Sequence, residues 1–67
     1  MSANNIIEIR ETFKGAYSVG EYDADTGGML EFVGSFGSLE EAVKEAKLYE
    51  KKIGEEGFEV EYGIQVK

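Results

Sequence analysis

The chain has 67 residues, enough for one domain that buries only about 60% of the surface its unfolded form exposes and keeps a few kcal/mol of stability. It contains no cysteine and no histidine, which excludes disulfides, thiolate or imidazole metal sites, and Ser-His or Cys nucleophiles. Its net charge of −7, from 14 acidic and 7 basic residues, has the wrong sign for direct binding to a nucleic-acid backbone or an anionic membrane, and leaves basic proteins open as partners.

No apolar run approaches the roughly 20 residues that span a bilayer. The start, MSANNIIEIR, lacks the basic and long apolar parts of a signal peptide, so a cytoplasmic location is expected. Residues 1–4 are small and polar and are expected to fray. From Asn5 to Phe13 the pattern predicts a first strand, with Ile7 and Ile9 on the core side and Ile6, Glu8 and Arg10 on the other. Lys14-Gly15 is a tight turn. Ala16 to Asp23 is a second strand. Either Tyr17 and Val19, or Ala16, Ser18 and Gly20, face inward, and the first choice buries more apolar area.

The stretch Asp23 to Gly28 reads as a hairpin loop. Its D-x-D-x-G resembles the opening of a calcium loop, but the position that needs a bidentate glutamate is Gly34, so no metal is assigned. Met29 to Phe36 predicts a third strand. Leu30, Phe32 and Phe36 share one face, taken as the core side; Met29, Glu31, Val33 and Ser35 share the other.

Ser38 to Ile53 predicts a helix. S-x-x-E at Ser38 and Glu41 is a capping box, and Leu39, Ala42, Val43, Ala46, Tyr49 and Ile53 form one apolar stripe. Gly54 is the expected left-handed stop. Phe58 to Lys67 alternates without a break and predicts a fourth strand. The fold class is therefore α+β: a two-layer β-β-β-α-β domain, with a mostly antiparallel four-stranded sheet and one helix on one face. The right-handed crossover allows strand order 3-2-1-4 or 1-2-3-4. The first is preferred because it places the isoleucine-rich first strand inside the sheet.

The helix balances Glu40, Glu41, Glu45 and Glu50 against Lys44, Lys47, Lys51 and Lys52. The whole negative charge then lies on strands and loops, where ten acids face three bases. With the parities above, Glu8, Glu31, Glu59 and Glu61 project from the sheet face away from the helix, joined by Arg10, Tyr22, Met29 and Val33. Leu48 lies across the helix from the buried stripe, ringed by charge, and is a candidate contact for a partner or a weak homodimer. Carboxylates on an open face lack the burial that tunes a general acid or base. No phosphate-binding glycine motif occurs either, so no catalytic, cofactor or metal residue is assigned. The expected role is a non-enzymatic domain that binds another protein through the open sheet face or an edge strand. The alternatives are an acidic mimic of nucleic acid and a small subunit whose ligand site forms on oligomerisation.

Overall fold

The computed structural model describes residues 4–67. The expected fraying of residues 1–3 lies outside them, but Asn4 is held, its carbonyl accepting the Ala24 N–H at 2.6 Å. Strands β1 (Asn5–Phe13), β2 (Ala16–Asp23) and β3 (Met29–Phe36) precede helix α1 (Leu39–Glu55) and strand β4 (Ile64–Val66). The sheet order is β3-β2-β1-β4, with β1 antiparallel to β2, β2 antiparallel to β3, and β4 parallel to β1. This is the α+β architecture and the preferred strand order.

The core follows from the two inner strands. Ile7 and Ile9 of β1 and Val19 of β2 are fully buried under Ala42 and Ala46 of α1, whose short side chains let the helix come close to the sheet. Tyr17, Phe36, Val43, Tyr49, Val60 and Ile64 pack around this centre. Tyr17 and Val19 therefore face inward, as their buried area requires.

The helix starts as its cap dictates: the Ser38 hydroxyl accepts the Glu41 N–H at 3.2 Å. It ends later than Gly54, which lies inside the last turn. The left-handed residue is Gly57, at φ +92. Phe58 N–H donates to Ile53 C=O at 2.9 Å and Gly57 N–H to Gly54 C=O at 3.2 Å. Those two bonds are a Schellman motif and satisfy carbonyls that the helix leaves open.

Two expectations fail in the sheet. In β3, Val19 pairs with Gly34 but Gly20 with Phe32, and Glu21 pairs with Glu31 but Tyr22 with Met29. Val33 and Leu30 are thus extra residues, and each bulge resets the alternation. Val33 packs on the core instead of facing away from the helix. Phe32 stands opposite Gly20 and is 52% exposed, so it is not a core residue. The fourth strand covers only Ile64–Val66. Gly63 at φ +70 breaks the extended chain just before it, and Phe58 is left exposed.

Candidate functional site

On the face away from the helix, β1 and β2 set Ile6, Glu8 and Arg10 beside Tyr22, Gly20 and Ser18. Gly20 has no side chain, and the Tyr22 ring lies over it: a Cβ there would meet the ring at 3.1 Å. The Arg10 guanidinium stacks on that ring, 3.9 Å from its centre, and its Nε donates to Glu8 Oε1 at 2.9 Å. That bond to Glu8 holds the Arg10 pKa above its ordinary value. Lys67 Nζ lies 3.7 Å from the second oxygen of Glu8. Glu8 and Tyr22 are both buried by their neighbours. The three residues close this face with a paired, self-satisfied cluster.

The other predicted surface acids are not on that face. Glu31 pairs with Glu21, whose carboxylate points to the helix, because the Val33 bulge turned it over. Glu59 and Glu61 precede β4 in irregular chain, so strand parity does not govern them. Both are exposed, and the Glu61 N–H donates to Asn5 Oδ1 at 3.2 Å. The acidic open sheet face expected from the sequence therefore keeps a single member, Glu8, and that one is paired.

The remaining charge gathers on the flank of α1. A depression of about 530 Å³ lies between β3 and α1, lined by Glu31, Phe32, Val33, Glu45, Leu48, Tyr49, Lys52, Ile53 and Glu56. A second, of about 320 Å³, lies beyond it, lined by Asn5, Glu21, Tyr49, Ile53, Glu56, Phe58 and Glu59. They share Tyr49, Ile53 and Glu56, and so form one two-lobed trough. Leu48 is half-exposed on its shoulder, set on the β3 flank of α1 by its helical neighbours Glu45 and Lys52.

At the junction the Tyr49 hydroxyl donates to Glu21 Oε1 at 2.7 Å, and Asn5 Nδ2 donates to the other oxygen. Burial first, then the bond to Glu21, then the negative charge of Glu21, Glu31 and Glu56 push the Tyr49 pKa upward. Three carboxylates thus act on one phenol. Among the described residues there are two ion pairs, and both belong to Glu8. The trough carboxylates Glu21, Glu31, Glu45, Glu56 and Glu59 are left without an ionic partner, with Lys52 the one base in the lining. Such a site attracts cations. Each exposed pair is worth at most about 1 kcal/mol, so useful affinity needs several pairs together with apolar contact.

Glu21, Tyr49, Asn5, Glu56 and Phe58 were not among the residues singled out from the sequence. Glu21 shares the parity of Tyr17 and Val19, so its inward direction was there to be read. An inward carboxylate needs a donor, and Tyr49 is the polar-tipped member of the helical stripe. Glu56 and Phe58 were hidden by ending the helix at Ile53. Among the described residues no cluster of three or more His, Cys, Asp or Glu could hold a metal ion, and no helix is long and apolar enough to cross a membrane. Comparison with protein-family models, with curated proteins and with solved structures finds no match.

Proposed function

We propose that this chain is a small non-enzymatic module that works by binding a basic protein through the trough on the flank of α1. The observation that carries this reading is the gathering of five carboxylates, none ion-paired among the described residues, around a trough that also presents Leu48, Phe32 and Phe58. Charge complementarity speeds encounter and sets the choice of partner, while the apolar members supply contact area. The edge of β3 supports strand addition less well, because two bulges bend a strand away from a new neighbour. A nucleic-acid mimic calls for long rows of acid, whereas α1 sets four lysines among its five glutamates and the unpaired acids of the trough sit on one flank.

The test is a titration of isotope-labelled protein with a soluble peptide of alternating lysine and leucine, followed by amide shifts. The shifts should centre on Glu31, Leu48, Tyr49 and Glu56 and should fade at about 1 M salt, where the screening length falls to about 3 Å. Shifts centred on Arg10 and Tyr22, or none at millimolar peptide, would rule the reading out.

A further inference from the structure

Building on that reading, we infer that the trough selects a short segment of its partner in which one arginine is flanked on both sides by large apolar residues. The layout of the two lobes carries this. Leu48 and Phe32 border the first lobe, and Phe58 borders the second. All three are half-exposed or more, so their apolar surface is open to contact. Between them, where the lobes meet, stand Tyr49 and Glu56, with Glu31 on one side and Glu21 on the other. The junction is anionic, and each lobe beside it carries an open apolar side chain among its charged ones. A segment that matches this layout reads apolar, cationic, apolar.

The cation fits arginine better than lysine. Glu21 already has both oxygens engaged by Tyr49 and Asn5. Glu31 and Glu56 make no ion pair among the described residues, and both line the first lobe together with Tyr49. A planar guanidinium can bridge two carboxylates at once and lie against an aromatic ring, which a compact ammonium cannot. The Arg10–Tyr22 stack on the opposite face shows the same chemistry satisfied within the chain. A second copy is a poorer occupant, because it brings its own net charge of −7 to a trough that is already negative.

The experiment measures the affinity of acetyl-Gly-Leu-Arg-Phe-Gly-amide by calorimetry and amide shifts. It compares peptides with the arginine replaced by glutamine or lysine and with both apolar residues replaced by serine. The arginine peptide should bind in the trough and all three replacements should weaken it. The double variant Glu31→Gln/Glu56→Gln should lose about tenfold in affinity, as expected for two partly exposed ion pairs. The control Glu11→Gln/Glu40→Gln removes the same charge from exposed positions outside the trough and should lose less than about twofold. Equal losses in the two double variants overturn the inference, since net charge alone would then explain binding. Equal affinity for the glutamine peptide, or tighter binding of the lysine peptide, also overturns it. So does self-association in sedimentation that Leu48→Ser abolishes, because a second copy would then fill the trough. If the arginine peptide fails while the lysine–leucine peptide still maps to the trough, the segment specificity is wrong and the protein-binding reading stands. If neither reaches the trough, both fall.

Discussion

Replacing Ile9 and Phe32 separately by alanine tests the register of β3 against the core. Ile9 is fully buried, opposite Val19 on one side and Val66 on the other. Ile9→Ala removes three carbon groups at about 0.8 kcal/mol each, or about 2.4 kcal/mol of transfer energy. The cavity adds to that, because Ala42 and Ala46 above it are too short to fill the space, for a total of about 3–4 kcal/mol. A domain of this size holds only about 3–10 kcal/mol in all. Phe32 is 52% exposed, so truncation forfeits about half of a buried phenylalanine's transfer energy, or about 1 kcal/mol, and leaves no closed cavity. Thermal unfolding followed by circular dichroism should show Ile9→Ala largely unfolded or with its Tm lowered by about 15 °C or more, and Phe32→Ala lowered by about 5 °C. A Phe32→Ala cost equal to that of Ile9→Ala would refute the reasoning, for it would mean that β3 alternates without bulges and buries Phe32.

Gly57 sits at φ +92, so Gly57→Ala should cost about 1–2 kcal/mol, whereas Gly54 lies within α1 with open space at its Cβ and Gly54→Ala should add about 0.5–1 kcal/mol. Melting curves shifted in the same direction would contradict the Schellman assignment. The folded-state pKa of Tyr49 is raised above the ordinary 10.0, so the stability tied to its neutral hydroxyl is fully present below pH 10 and is lost as pH rises further. The Tm advantage of wild type over Tyr49→Phe should therefore hold up to about pH 10 and shrink above it, and parallel curves up to about pH 11 would deny the coupling. In the loop after β2, Asp23 Oδ1 already accepts the N–H groups of Asp25 and Thr26, at 2.8 and 3.1 Å. Calcium at about 5 mM should leave the Tm unmoved; a rise of several degrees would reveal a site by linkage.

The parts of the fold legible in the sequence are those that one local pattern decides. The stripe of α1 and its Ser38 cap are of this kind, as are the inward isoleucines of β1. The sheet order followed from where those isoleucines could be buried. The end of α1 is ambiguous in the sequence because two glycines lie three apart. Length does not choose between them, but chemistry does: Gly57 is followed by apolar Phe58 and preceded by Ile53, the pair that commonly packs across a Schellman motif. Gly54 inside the helix costs only about 1 kcal/mol, a weak barrier to one more turn. β4 is shorter than its alternating pattern because alternation says what a segment could do and not what lies beside it. Phe58 to Tyr62 alternates well, yet Ile7 N–H is taken by Gly63 C=O, and the ladder with β1 begins only at Ile64.

The trough was illegible for a related reason, and β3 supplies the cause. If Val33 took a regular place in the ladder, strict alternation would hold Phe32 against the helix and place Glu31 on the far face with Glu8. The bulge exchanges them. It sends Phe32 out opposite Gly20 and turns Glu31 inward opposite Glu21, where it becomes one of three carboxylates acting on Tyr49. A bulge disturbs fewer ladder bonds at an edge, where β3 has one neighbour, than in the sheet interior. Nothing in MLEFVGSF marks the extra residue locally, because its need arises from pairing with β2 and packing under α1. The same irregularity that removes an aromatic ring from the core therefore assembles the acidic junction. Deleting Val33 should close the bulge with Phe32 still opposite Gly20 and Glu31 still opposite Glu21, so amide shifts from the arginine peptide should still map to the trough; their loss from a folded variant would refute this register.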